Sequence, residues 1–129
     1  MPRSTLLYVH NSAIGDALAN QVQTLEMCRA LQLSGLDVTL LIPEGTLNRS
    51  QVVTEIQNEL GEPPAFKIDF WQVKKIPGLP RTLKLLYSLR KQKHLLAGFD
   101  YLFIRYAPFL PIAVNVDTKL IFESHDTST

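Results

Sequence analysis

Titratable side chains cluster after the last two apolar segments of the chain. Arg105 ends the first of these segments, and Glu123, His125 and Asp126 follow the second. In open parallel sheets, ligands bind beyond the carboxyl ends of the strands. A guanidinium can bind a phosphate or carboxylate through its planar fork, and an imidazole can hydrogen-bond a hydroxyl or carry a proton near neutral pH. The pattern therefore predicts a ligand site at the carboxyl edge of a sheet.

Each of these residues also has a structural interpretation. Strand alternation puts Glu123 and His125 on the same side of an extended chain. Glu123 and Asp126 either orient His125, contact ligand hydroxyls or are surface carboxylates. Arg105 either binds an anionic ligand or pairs with Asp100 or Glu123. His125 is either a site residue or an exposed histidine near the last residue of the sequence.

The loop after the first apolar segment supplies four more candidates, His10, Asn11, Gly15 and Asp16. In a parallel sheet, His10 and Asn11 would line the same edge as Arg105. A glycine lets the backbone approach a phosphate closely, and amides at the start of a following helix favour an anion. Asp16 would repel a phosphate unless it caps that helix. The loop is therefore either a phosphate contact or a plain turn.

Apolar runs and helical periodicity alternate along the chain, which predicts a Rossmann-like, doubly wound, mainly parallel α/β sheet. Most of the runs are continuously apolar, as expected for strands covered on both faces. Phe66–Val73 alternates in polarity and is predicted to be an edge strand. The predicted strands are Leu6–Val9, Val38–Ile42, Phe66–Val73, Tyr101–Tyr106 and Leu120–Glu123, and the predicted helices are Ala17–Leu33, Leu47–Leu60 and Arg81–Ala97.

The first predicted helix carries an apolar stripe that should face the sheet. Its members recur every three or four residues and are Leu18, Val22, Leu25, Cys28 and Leu31. The single cysteine is therefore predicted to be a core residue, and it excludes an intramolecular disulfide. Predicted helix ends follow from Ser34 and Gly35 for this helix, and from a cap at Asn48 or Ser50 and a stop at Gly61 for the second.

Charge is distributed unevenly along the 129 residues, although the net charge is only +1. Residues 1–66 hold three basic and seven acidic side chains, whereas residues 67–129 hold ten basic and five acidic ones. Such asymmetry indicates an anionic partner. On the third helix, Arg81, Lys84 and Lys91 form a stripe that includes Ser88 and suits an anionic membrane surface. The alternative is a solvated outer face.

Several functional classes are disfavoured by the sequence. There is no zinc-ligand spacing, no phosphate-binding loop motif, no glycine fingerprint of a dinucleotide dehydrogenase and no nucleophile elbow. Nucleic-acid binding is disfavoured because Trp71 is the only aromatic residue near the lysines that is predicted to lie outside the core. No export signal or membrane span is evident, so the predicted location is cytoplasmic, with membrane association through the basic segment as an addition.

Three segments together resemble the N-terminal domain of family-four, group-one glycosyltransferases of the GT-B fold. The first runs Cys28-Arg-Ala-Leu-Gln-Leu-Ser-Gly-Leu-Asp-Val-Thr-Leu-Leu-Ile-Pro43. The second is Phe99-Asp-Tyr-Leu-Phe-Ile-Arg105, and the third is Leu120-Ile-Phe-Glu-Ser-His125-Asp126. The segments occur in the family's order and span most of the chain, and the His-Asp ending is their most distinctive part.

The resemblance implies a retaining enzyme that transfers a sugar from a nucleotide-sugar donor to a sugar or lipid-linked acceptor, with no cofactor beyond the donor substrate. It implies that His125 lies close to the transferred sugar and that Gly15 occupies the family's glycine-rich turn, although Asp16 stands where a second glycine is usual. The family's C-terminal domain, which binds the nucleotide through two glutamates, is absent from residues 1–129. We therefore expect a truncated acceptor-side domain that is inactive without the C-terminal domain, and that either associates with another chain or is marginally stable.

A non-catalytic module remains the competing interpretation. In that case a Rossmann-like domain would bind an anionic membrane surface or a protein partner through Lys67–Lys93. The two interpretations differ in what the basic segment does, because only the module depends on it for its principal activity.

Overall fold

The computed structural model describes residues 3–11, 18–45, 47–113 and 119–122. Within them, five strands form one parallel sheet in the order β3-β2-β1-β4-β5, with helices on both faces. The strands are β1 (Thr5–Val9), β2 (Asp37–Pro43), β3 (Lys67–Trp71), β4 (Tyr101–Ile104) and β5 (Lys119–Phe122), and the helices are α1 (Leu18–Leu33), α2 (Arg49–Leu60), α3 (Arg81–Lys91) and α4 (Leu110–Ala113). Two 3₁₀ turns, Lys93–Leu96 and Ala107–Phe109, precede β4 and α4. The predicted α/β Rossmann-like class is confirmed.

The order of the strands reverses direction at β1. From β1 the chain moves outward through β2 to β3, then returns to the other side of β1 to place β4 and β5. The boundary between β1 and β4 is therefore the topological switch point, where the crossovers leave in opposite directions. Open α/β sheets generally bind ligands beyond the carboxyl ends of the strands at such a point. Leu7 sits in register with Thr39 on one side and with Leu102 on the other.

Two hydrophobic cores cover the two faces of the sheet. Leu6 and Tyr8 of β1 point into the core beneath α1 and α2, whereas Leu7 and Val9 point into the core beneath α3 and α4. All four side chains are at most 1% exposed. Continuous apolar sequence in β1 is thus explained by burial on both faces.

Hydrogen bonds between Thr5 and Asp100 fix the amino ends of β1 and β4 together. The Thr5 N–H donates to Asp100 Oδ2 at 2.9 Å, and the Asp100 N–H donates to Thr5 Oγ1 at 3.0 Å. We call this pair the Thr5–Asp100 clamp. The Asp100 carboxylate, which the sequence analysis gave as one possible partner of Arg105, is thus hydrogen-bonded to Thr5.

The ends of α2 follow the sequence signals closely. Asn48 and Gln51 form a capping box, in which the Gln51 N–H donates to Asn48 Oδ1 and the Asn48 N–H donates to Gln51 Oε1, both at 2.9 Å. Gly61 ends the helix at φ +77°, a conformation that side chains with a Cβ rarely adopt.

Two predictions are wrong, one about the end of the third helix and one about the exposure of Trp71. The helix α3 ends at Lys91 and not at Ala97, because Gln92 leaves the helical conformation and its side chain binds the backbone of Gln72, with Nε2 donating to the Gln72 carbonyl at 2.7 Å. Trp71 is fully buried and packs edge-on against Phe109 at 5.9 Å, so it belongs to the core. β3 does form an edge of the described sheet, as predicted.

Removal of a core side chain from α2 should reveal how much stability this face carries. Ile56→Ala is expected to lower the free energy of unfolding by about 2–5 kcal/mol, because Ile56 is 0% exposed and its loss leaves a cavity. Val53→Ala in the same helix is the matched control, since Val53 is 40% exposed and should cost far less. Urea unfolding measures both; equal losses would contradict the described burial.

Candidate functional site

His10 and Arg105 lie side by side at the carboxyl ends of β1 and β4. Val9 of β1 and Ile104 of β4 are the last pair in register. His10 directly follows Val9, and Arg105 directly follows Ile104. Arg105 reaches α1, because its Nη2 donates to Gln23 Oε1 at 3.4 Å. The predicted convergence of His10 and Arg105 is thus present, at the switch point and on the α1 face.

His10 is almost completely buried, with 5% of its surface exposed. Its backbone N–H donates to the Leu41 carbonyl at 2.9 Å, and its Nδ1 lies 3.2 Å from Thr24 Oγ1. Among the described residues, Nε2 has no hydrogen-bond partner. Burial, assisted by the nearby positive charge of Arg105, lowers the pKa of His10 to about 4. The imidazole is therefore neutral at physiological pH.

Tyr8 precedes His10 by two residues and lies near Arg105. Its ring stacks on Phe103 with centroids 4.7 Å apart and planes 14° apart. Its hydroxyl lies near Thr24 and Arg105, but it has no hydrogen-bond partner within the described segments. Burial raises the pKa of Tyr8, and Arg105 opposes this rise. Tyr8 thus presents a neutral phenol to a site whose charge comes from the arginine.

The half of α1 that covers the site is polar on its inner face. The described residues contain four buried polar side chains. Gln21 and Thr24 belong to α1, His10 follows β1, and Ser88 belongs to α3. The predicted stripe is wrong at Val22, which is 40% exposed, because Gln21 and Thr24 face the sheet instead. They share the helical phase of Cys28, which is the signal in the sequence that could have identified them.

The arrangement combines one fixed cation with neutral hydrogen-bonding groups. Arg105 is half-buried, and a partly desolvated guanidinium binds a phosphate or carboxylate more strongly than an exposed one. His10 can donate or accept through one nitrogen without adding a second charge. Such a site can bind an anionic group and orient a neighbouring hydroxyl.

The remaining predicted site residues have different outcomes. Asn11 follows His10 directly and is half-buried. The other five lie outside the described residues, so their predicted roles remain predictions; they are Gly15, Asp16, Glu123, His125 and Asp126.

Cys28 plays no part in the site. It is fully buried in the core beneath α1, and burial raises the pKa of its thiol, which makes it unreactive as a nucleophile. This confirms the predicted core role. The described segments contain no group of three His, Cys, Asp or Glu residues that could hold a metal ion.

Comparison with protein-family models gives no match, and comparison with curated proteins gives none either. In the described part of the chain, no helix has both the length and the apolar composition needed to cross a membrane.

The burial of His10 should make stability depend on pH. The pKa of the imidazole is about 4 when folded and about 6.5 when unfolded, so the unfolded state binds more protons between these values. Stability is therefore expected to fall by up to about 3 kcal/mol as the pH decreases from 6.5 to 4. Urea unfolding across this range measures the slope, which His10→Gln should reduce and His94→Gln, at an exposed position, should leave unchanged.

The contribution of Arg105 can be separated from that of burial. Arg105→Gln should raise the pKa of His10, because the neighbouring positive charge is removed, but burial should still hold it below 6.5. An NMR titration of the imidazole carbons checks this. An unchanged pKa would show that the two side chains do not interact.

Proposed function

We propose that this chain is the acceptor-side domain of a retaining GT-B glycosyltransferase, which transfers a sugar from a nucleotide-sugar donor to an acceptor. The observation that carries the proposal is the placement of Arg105 beside the buried His10 at the switch point of a doubly wound parallel sheet. The resemblance of three ordered segments to the family supplies the reaction class.

The site chemistry agrees with an acceptor that carries both an anionic group and hydroxyls. Arg105 would bind a phosphate or carboxylate of the acceptor, and neutral His10 would bind a hydroxyl without competing for the anion. Because the imidazole has a pKa of about 4, His10 is a poor base and a positioning role fits it better than proton transfer. Proton transfer or contact with the transferred sugar is left to His125, on the resemblance.

The donor side of the reaction needs a second domain. In the family that the chain resembles, the nucleotide is bound by a C-terminal domain through two glutamates. The proposal therefore expects the coding DNA beyond Thr129 to continue into a domain of about 150 or more residues carrying such a pair. Sequencing that DNA is the first test, and a stop codon directly after Thr129 would count against an active enzyme.

Substitution of Arg105 should weaken acceptor binding. The enzyme to be tested is the two-domain protein that contains both this chain and the donor-binding domain. Arg105→Gln is expected to raise the KM for an anionic acceptor by about 10–100-fold, because charge-assisted hydrogen bonds contribute about 1.5–3 kcal/mol. Arg105→Lys should retain part of the affinity, since it keeps the charge and loses the fork. Nucleotide release from a panel of nucleotide-sugar donors measures the rates.

Two controls make this test specific. Lys67→Gln removes a cation at the amino end of β3, the opposite edge of the sheet, and should leave the KM unchanged. His125→Ala should lower kcat with little effect on acceptor affinity. Wild-type turnover in His125→Ala, or no transfer from any donor in the panel, would refute the proposed enzyme.

A further inference from the structure

The segment from residue 72 to residue 99 contains seven lysine and arginine residues and no aspartate or glutamate. It comprises the chain before α3, α3 itself and the 3₁₀ turn that follows. This concentration of positive charge lies on the sheet face opposite the His10 site, because α3 packs on the core that contains Leu7 and Val9. The proposed acceptor site does not use it.

The outward face of α3 is apolar at its centre. Leu83 is 47% exposed and Tyr87 is 38% exposed, and they stand one helical turn apart. The inward face is filled by Leu85, Ser88 and Leu89, all buried. Leu83 and Tyr87 thus place adjacent apolar side chains on the outer face of α3, the face that is typically polar in a surface helix.

Two cations lie over Tyr87, and Lys84 follows Leu83 on the same helix. The ammonium groups of Lys74 and Lys91 lie 5.8 and 5.5 Å from the centroid of the Tyr87 ring. The backbone of Lys74 is fixed against α3, because its amide N–H donates to Ser88 Oγ at 2.8 Å. Ser88 therefore anchors a basic residue from the buried side of α3, and its predicted place in the exposed basic stripe is wrong. We name Lys74, Leu83, Lys84, Tyr87 and Lys91 the α3 surface.

The positive charge of the α3 surface is not neutralised within the described residues. Both salt bridges found in that part of the chain belong to Arg29, and none involves Lys74, Lys84 or Lys91. Next to the surface, Arg90 and Lys93 line a cavity of about 280 Å³ together with Pro111 and Ile112.

We propose that the α3 surface docks on a membrane containing anionic phospholipids. Lysines on flexible stems can reach lipid phosphates while leucine and tyrosine enter the boundary between headgroups and acyl chains. Charge complementarity selects an anionic surface, and the exposed apolar pair selects a lipid surface over a purely polar polyanion. Nucleic acid suits it less well, because lysine ammonium groups already lie over the Tyr87 ring that would have to stack on a base.

Vesicle sedimentation with the 129-residue chain tests this inference, which is independent of the proposed transferase activity. The chain should bind vesicles that contain phosphatidylglycerol, and it should remain in solution with vesicles of phosphatidylcholine alone. Lys84→Glu combined with Lys91→Glu should weaken binding by about 25-fold or more, since each cation near an anionic surface contributes about fivefold. Added salt should weaken it further by screening.

A matched control separates location from net charge. Arg3→Glu combined with Lys67→Glu makes the same charge change at exposed positions near the amino ends of β1 and β3. This variant should bind vesicles nearly as well as the wild type. If it loses as much binding as the α3 double variant, only net charge matters and the α3 surface is refuted.

Leu83→Ser and Tyr87→Ser distinguish a lipid surface from other polyanions. Each should reduce vesicle binding by about tenfold or more, because apolar burial is lost, while leaving retention on heparin unchanged. Circular dichroism should show an intact fold, as expected for exposed positions. Unchanged vesicle binding in both variants, or wild-type binding that does not require phosphatidylglycerol, would overturn the proposal.

Discussion

Burial of β1 on both faces and along both edges is the constraint on which the rest of the structure depends. β1 pairs with β2 and β4, and its side chains alternate between two cores. A strand buried in this way needs helices on both faces of the sheet, and parallel pairing needs a crossover between successive strands. Together these demands bring the carboxyl ends of β1 and β4 into contact, and with them His10 and Arg105.

The two cores are built differently, and the difference coincides with the candidate site. Beneath α3 and α4, the core is filled by aliphatic and aromatic side chains, and its buried Ser88 accepts a hydrogen bond from Lys74. Beneath the first half of α1, polar groups are buried at His10, Gln21 and Thr24. Among the described residues, His10 Nε2 has no hydrogen-bond partner, and neither has Trp71 Nε1 in the other core. A buried polar group without a partner costs about 1–3 kcal/mol.

Local sequence signals predicted the elements well because the physics behind them is local. The apolar runs of β1 and β2, the cap at Asn48 and the left-handed glycine at Gly61 depend on a few adjacent residues. The errors arose where a distant partner decides. Gln92 leaves the helix to bind Gln72, Trp71 is buried by Phe109, and Val22 is exposed because the residues beside it in the helix face His10.

The same distinction applies to the site. The polar residues after each strand were identifiable from composition, and the parallel sheet implied that they share an edge. Their neighbourhood was not identifiable, since strand order decides that β4 and not β5 adjoins β1. His10 is buried next to Thr24 of α1, and its pKa is lowered by that burial and by Arg105; no spacing rule connects Thr24 or Arg105 to His10.

The Thr5–Asp100 clamp has a consequence for how the molecule acquires its shape. It joins residues 95 positions apart, and so does the meeting of His10 with Arg105 at the other end of the same strand pair. Closing so long a loop carries a large entropic cost, and contacts of such high sequence separation are typical of slow folding. The β1-β2-β3 half can pair through nearer neighbours first. The juxtaposition of His10 and Arg105 therefore forms only when β4 docks on β1, and a nascent chain that has not yet reached Arg105 lacks the candidate site.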